Sequence, residues 1–377
     1  MAILNLGRER VSAIFDIDPG HVGCAIVAHR AGAPATVIAE ARSALNLEPR
    51  TGEQAAARVT EEIAAAAKSA HDLALERRKG IAVQSVYCMI RFPHSSSTLS
   101  RARKTFEKET FIRDAEIAAL AQEARAKAAV EKPYESAVVS ILLNGYLTHA
   151  PEGKYAHDLE LVSLFSSAEE GLLAAVRGAA EKSFPAAKSE IRSSARMRAV
   201  AIGKRKGIRD ALLIDCGVGG TDIVLFCDGI ADECAGMDEG LGHVLAAVSK
   251  RPPEEIASRL RMIARGAGED EASQAIDKAL AAAEPGLVKL FGEKFAALAQ
   301  RAKLPHDLIL VAHPDMIEWL TRFFSRIDFT QFTRTSLPFA VESMQATDFA
   351  QFVIADESDD AALAAGCAAL AIEEQST

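Results

Sequence analysis

A chain of 377 residues, 49% of them hydrophobic and 6% aromatic, is too long for one ordinary core and suits two lobes of an alanine-rich α/β protein; a disordered or fibrous chain is excluded. A net charge of −9 argues against a general binder of nucleic acid or anionic membrane, while leaving room for a local basic patch. The six cysteines, Cys24, Cys88, Cys216, Cys227, Cys234 and Cys367, form no C-x-x-C pair and mostly sit in apolar runs, as reduced core thiols of a cytoplasmic protein do. The opening MAILNLGRERVSAIF has too short an apolar run for a signal peptide, and no segment is long enough to span a bilayer, so membrane contact is expected only through a partner.

In chain order, residues 13–15 and 22–27 read as a hairpin, 36–44 as a third strand and 54–75 as a helix with Ala57, Ile63, Ala67 and Ala70 near helical spacing. A strand follows at 83–91. The serine-rich 94–100 and charged 101–108 are expected to form an exposed ribbon or loop, in which Arg101, Arg103 and Lys104 make either a patch for an acidic partner or a solvated face. Then come a helix at 112–129, strands at 136–144 and 158–166, and a helix at 168–180 near which 189–200 packs. The basic run 203–209 reads as an exposed connecting loop, or as a contact for a partner or a phosphate tail.

The stretch ALLIDCGVGGTDIVLFCD, residues 211–228, organises the rest. Its apolar runs 211–214 and 223–226 read as strands joined by a turn through Gly217, Gly219 and Gly220. Lacking Cβ, these glycines allow positive φ and bring backbone N–H groups close to a bound anion. The Thr221 hydroxyl can donate to a phosphate oxygen, and Asp215 and Asp222 stand at the two rims, where a carboxylate can hold hydrated magnesium. A Gly-Gly pair between alternating apolar residues also fits an ordinary turn. A second copy favours the ligand reading: in AIFDIDPGHVGCAIV, residues 13–27, aligning Asp16 on Asp215 sets Gly20 on Gly219 and 24–27 on 223–226.

Beyond this hairpin, 229–237 reads as a strand, and Gly240 and Gly242 open a helix at 244–249 whose N-terminus is either an anion site or an ordinary helix start. A proline start, acidic first turn and glycine stop frame a helix at 252–266. A long helix at 271–302 is expected to break at Pro285 and Gly286. A buried strand at 308–312 leads through His313, Pro314 and Asp315 into a helix at 316–324; 335–352 is a poorly defined strand region, and 360–372 an alanine-rich helix.

Two acid-and-glycine hairpins, one in each half, resemble those of the actin-like ATPase superfamily, and the chain is similar to its FtsA/PilM branch, the bacterial cell-division and type IV pilus scaffolds. In that branch the first hairpin reads like D-I-G-S and the second like D-I-G-G-G-T-x-D, which residues 215–222 match closely. The resemblance implies an α/β, two-lobed actin-like ATPase fold of duplicated mixed sheets flanked by helices, with a small inserted SHS2-like subdomain in the first lobe. The first lobe would span 1–83 and 167–200, the insert 84–166, the second lobe 201–358, and a closing helix and tail 359–377. It implies ATP and magnesium as ligands, with Asp16 and Asp215 as catalytic and water-mediated metal residues. Gly20, His21, Gly217, Gly219, Gly220, Thr221, Asp222, Gly240, Gly242 and His313 would surround the nucleotide.

The chain departs from that pattern at several places. Asp18 stands for a glycine, Pro19 for a Ser or Thr, and His21 for a frequent Lys; Pro19 removes an amide donor, and Asp18 would repel a polyphosphate by about 1–4 kcal/mol at short range. Arg259 and Arg261 replace a Glu and Lys pairing at ribose and base, and His313-Pro314-Asp315 replaces a Gly-Gly pair, either crowding the adenine or stacking on it. The expectation is weak or degenerate ATP binding and at most a slow ATPase. Functionally, an FtsA-like division scaffold comes first, pairing with itself as a filament or dimer. A PilM-like pilus component gripping a peptide of an inner-membrane partner is the alternative. A small-molecule kinase ranks third, because no base and sugar pocket is evident. The ending AIEEQST, in place of a basic amphipathic helix, favours the pilus reading, and the acidic entry of 112–129 through Asp114 and Glu116 the division reading. No nucleic-acid partner is expected, and the location is cytoplasmic, at the inner membrane face through a partner.

Overall fold

A computed structural model describes residues 9–30, 32–43, 46, 52–205, 207–248, 253–264, 270–300, 303–355 and 360–375. The opening segment, the last two residues and the side chain of Arg261 lie outside the described residues. The first half builds β1 (Arg10–Asp18), β2 (His21–His29), β3 (Ala35–Arg42), α1 (Gly52–Arg77) and β4 (Ser85–Ile90). An excursion follows through β5 (Ser96–Phe111), α2 (Asp114–Ala128), β6 (Glu135–Leu143), β7 (Tyr146–Leu147) and β8 (Tyr155–Ser167), before α3 (Glu170–Ser183), β9 (Lys188–Ser193) and α4 (Ser194–Gly203) complete the lobe. The second half runs β10 (Ala211–Cys216), β11 (Thr221–Cys227), β12 (Ile230–Met237), α5 (Leu241–Val248), α6 (Pro253–Ala264), α7 (Glu271–Ala299), β13 (Asp307–Ala312), α8 (Pro314–Arg326), β14 (Ala340–Ser343), a 3-10 turn at Ala346–Phe349, β15 (Val353–Ile354) and α9 (Ala361–Gln375).

The strand orders reveal a duplication. The first sheet reads β15-β3-β2-β1-β4-β9 and the second β12-β11-β10-β13-β14. In both, an antiparallel hairpin carries an antiparallel strand on one side and two parallel strands on the other, and the first sheet adds β15 parallel to β3. The excursion makes a separate four-stranded sheet, β5-β8-β6-β7, with α2 packed on one face.

Period-two alternation decides which side chains meet. In β1, Ala13, Phe15 and Ile17 pack under α1 and α3, while Ile14 joins a central layer shared with α4, α9 and the second sheet. In β10, Leu212, Ile214 and Cys216 point outward to α5–α8, while Ala211 and Leu213 join the same central layer. Asp16 and Asp215 occupy the inward positions of these alternations, so both carboxylates face the space between the lobes.

The structure sharpens several expectations and overturns the break at Pro285. Of the two forms expected for residues 101–108, exposed ribbon or loop, the chain takes the ribbon: they are the middle of β5, with Arg101–Thr105 paired along β8. Strand alternation is masked there because Arg103, Lys104 and Thr105 are exposed in succession, so both faces meet water. Their basic side chains are not a free patch: Arg101 pairs with Glu160 and Asp232, Arg103 with Asp158, and the Lys104 ammonium lies 5.1 Å from the Phe106 ring centre. The stretch 189–200 divides between β9 and α4, with Ser193 capping the helix through a bond from the Arg196 N–H at 3.3 Å. α7 continues through Pro285 without a break. All six cysteines are free thiols.

Candidate functional site

The tips of the β1–β2 and β10–β11 hairpins meet across the lobe boundary. A Cβ on Gly20 would collide with Val218 and the Asn46 carbonyl, so glycine is required there for close approach. Gly219 is packed against Pro19, with 2.9 Å from its would-be Cβ to the proline ring. Gly217, Gly219 and Gly220 are not among the described glycines with positive φ; their want of a side chain serves packing against Asp18, Pro19 and Phe92 instead.

The structure brings Asp16 and Asp215 to one guanidinium. Arg91, at the end of β4 and 4% exposed, places Nη2 on Asp215 and Nη1 at 3.8 Å from Asp16 and 3.4 Å from Asp18. Arg198, on the inward face of α4 and 3% exposed, pairs with the other Asp215 oxygen and lies 3.8 Å from Asp16 Oδ1. Arg42 donates to Asp16 Oδ2 at 3.3 Å and pairs with Asp360 at the start of α9. Burial opposes ionisation of Asp16, yet Arg91, Arg42 and Arg198 outweigh it and hold its carboxyl below the usual range. Burial and neighbouring Asp215 push Asp222 up to about 7.

Asp18 bridges the lobes in another way. Its Oδ1 accepts the Gly20 N–H at 2.8 Å, and its two oxygens accept the Val218 N–H at 3.3 and 3.2 Å. Burial raises its pKa, against the lowering effect of Arg91 and the two backbone donors.

The remaining candidates are also engaged. The Thr221 hydroxyl donates to the Glu239 carbonyl at 2.9 Å. Gly240 sits directly on the hairpin, where a Cβ would strike its backbone, and the Leu241 and Gly242 N–H groups donate to the Gly217 and Val218 carbonyls, both at 2.9 Å. The first turn of α5 thus spends these donors on the chain itself. His313 caps α8, its Nδ1 accepting the Asp315 N–H at 3.3 Å, and meets His21 edge to face at 5.9 Å between ring centres. Burial, then Arg42 and Arg91, keep His21 well below its ordinary pKa and neutral. These two rings line a cavity of about 260 Å³ together with Arg42, Arg91, Met344 and Asp360. Arg259 pairs instead with Glu255 and Asp270.

This arrangement does not suit magnesium and ATP. A hydrated ion between Asp16 and Asp215 needs carboxylate oxygens open to water. Here they are buried and face guanidinium groups, and among the described residues no cluster of His, Cys, Asp or Glu has the makings of a metal site. A polyphosphate needs the hairpin amides, and the Val218 and Gly20 donors already serve Asp18. The arginines that fill the cleft come from three distant segments and escaped the sequence reading. The available signal was charge inside apolar runs, VYCMIR and RMRAVAI, since buried arginines must be paired.

The duplicated sheets, the hairpins facing across a shared central layer and the inserted sheet define an actin-like ATPase fold. No family model and no curated protein matches the sequence. Among solved structures, the chain is similar to one described as a PilM-PilN type IV pilus biogenesis complex, with a TM-score of 0.55 and 14% identity over 97% of this chain and 98% of that one. It is also similar to ethanolamine utilization protein EutJ from Carboxydothermus hydrogenoformans, at TM-score 0.46 and 11% identity over 96% and 90% of the two chains. A protein from Bacteroides thetaiotaomicron, described as having an actin-like ATPase fold and unknown function, aligns at TM-score 0.38 and 9% identity over 89% and 91%. At 14% identity the likeness to the first of these speaks to fold alone.

Proposed function

We propose that the chain is a scaffold of the FtsA/PilM type that works without nucleotide turnover and holds a segment of a partner protein, with the pilus-assembly role ahead of the division role. The observation that carries this reading is the cleft itself: the carboxylates and amides a nucleotide would use are committed to the chain's own arginines and to Asp18. What supports the pilus role is the similarity, along nearly the whole chain, to a structure described as a complex of PilM with PilN.

A place for the partner lies between the inserted sheet and the first lobe. A cavity of about 600 Å³ is lined by Val138 and Ile141 of β6, Leu147 of β7, Val200 of α4 and Leu370 of α9, with Lys204 at its side. β7 pairs with Leu142 and Leu143 and the Thr148 N–H donates to the Ile141 carbonyl at 2.9 Å, so among the described residues the part of β6 before Ile141 has no strand on its outer side. An extended peptide adding to that edge would gain main-chain hydrogen bonds and bury apolar side chains in the cavity. The reading carries with it a cytoplasmic location, with membrane contact through the partner.

Fluorescence anisotropy tests this with two labelled peptides: the cytoplasmic segment of an inner-membrane pilus-assembly protein from the same genome, and the C-terminal tail of its tubulin-like division protein. The pilus peptide is expected to bind, with equal affinity in the presence and absence of magnesium ATP. Val138→Glu, at a position 42% exposed, is expected to weaken it by about tenfold or more without altering the melting temperature. Binding of the division tail alone would transfer the assignment to cell division, and binding of neither peptide would refute the scaffold reading.

A further inference from the structure

We propose that Asp18 is a built-in anion: its carboxylate takes the place in the second hairpin's amide turn that a phosphate oxygen would otherwise take, and so ties the two lobes shut without a ligand. The inference goes beyond the partner-binding role and does not depend on which partner is held.

An aspartate two residues before a glycine often caps its own turn, and the bond from the Gly20 N–H at 2.8 Å is of that kind. Local capping does not account for the rest. Both Asp18 oxygens lie within 3.3 Å of the Val218 nitrogen, 200 residues away and on the other lobe. The side chain is sealed in, at 1% residue exposure, and the Arg91 guanidinium completes its surroundings at 3.4 Å. Two backbone N–H groups and one guanidinium converging on two oxygens make an oxyanion cradle, here filled from within.

The packing is built around the carboxylate. A Cβ on Gly217 would overlap Asp18 Oδ2, and one on Gly20 would overlap Val218, so each hairpin tip is kept bare where the other enters it. The charge that reads in sequence as a repellent for polyphosphate is, in the folded chain, a replacement for it. Two lobes that a ligand could otherwise draw together are held by an acid that never dissociates from the chain.

Rescue by small anions tests the proposal. Asp18→Gly removes the whole carboxymethyl side chain and leaves a space large enough to admit formate, whereas Asp18→Asn fills the space without the charge. Melting of wild type, Asp18→Gly and Asp18→Asn is followed in sodium formate and in sodium chloride of equal ionic strength, and exchange of the Val218 amide is followed by hydrogen–deuterium exchange. The expected result is a lower melting temperature and faster Val218 exchange in Asp18→Gly, both restored saturably by formate and not by chloride. Wild type should ignore formate, and Asp18→Asn should melt lower than wild type and gain nothing from it. An Asp18→Gly protein that melts like wild type, or that formate fails to restore, overturns the proposal. Should Asp18→Gly give no folded protein, Asp18→Asn decides: melting indistinguishable from wild type overturns the proposal. No peptide enters this test, so loss of the partner-binding reading would leave its outcome interpretable.

Discussion

Replacing Arg91 by methionine removes the cation that Asp16, Asp18 and Asp215 share, while roughly conserving length and apolar volume. All three carboxylates are buried, at 0–2% exposure, so Asp18 would lose its guanidinium while Asp16 and Asp215 would keep only Arg42 and Arg198 against their mutual repulsion. Removing one partner of a buried pair costs about 3–5 kcal/mol. Unfolding entropy runs near 2.1 cal/mol/K per residue, so the 377 residues correspond to roughly 0.8 kcal/mol/K when both lobes melt together, and the melting temperature should fall by about 4–6 °C. The single tryptophan, Trp319, is 7% exposed and stacked on Phe323, so its fluorescence reports the transition. The pH dependence distinguishes charge from packing. In the variant the crowded carboxylates bind protons more readily folded than unfolded, which adds stability in acid and loses it as pH rises. In the wild type Asp16 is held low and gives up its stabilisation only below its ordinary value of 3.8, so it contributes no change between pH 8 and pH 5. The gap between the two proteins should therefore narrow from pH 8 to pH 5. A deficit under about 1 kcal/mol, or one equal at both pH values, would refute the view that Arg91 neutralises the cleft.

Asp222 gives a second pH signature. With its pKa raised from 3.8 to about 7 by burial and by Asp215, its contribution is fully present below about pH 4 and is lost as pH rises through 7. Asp222→Asn should remove that loss, so that in urea titrations the variant gains on wild type between pH 5 and pH 8; a difference that does not change with pH would count against it. Gly286 lies inside α7, and a Cβ there meets nothing within 4 Å. Gly286→Ala should stabilise by about 0.8–1 kcal/mol in the same titrations, and destabilisation would show that the helix is not continuous past Pro285.

Much of the architecture is legible in the residues. The apolar runs around the two glycine turns mark both hairpins, and the matching positions of Asp16 and Asp215 within them imply a duplicated fold. The signals fail where one face of an element meets water or where a segment is short. β5 reads as ribbon or loop alike because so many of its positions are charged, and β9 and α4 merge because six residues of strand pass directly into a helix. Pro285 reads as a break, yet it stands at an exposed position in a helix anchored on either side by Leu280, Leu287 and Phe291.

At the cleft, local pattern determined the kinds of groups and their inward direction: period two puts Asp16 and Asp215 on the core side of their strands, and glycine permits the hairpin tips to touch. Which charges answer those acids was decided by tertiary structure alone. Arg42, Arg91 and Arg198 arrive from the ends of two strands and from a helix, and Asp18 finds the Val218 amide 200 residues away. Electrostatic compensation depends on distance in space, and no spacing along a chain encodes it. An acid that looks like a defect in a phosphate loop becomes, once the lobes meet, the anion the loop contains.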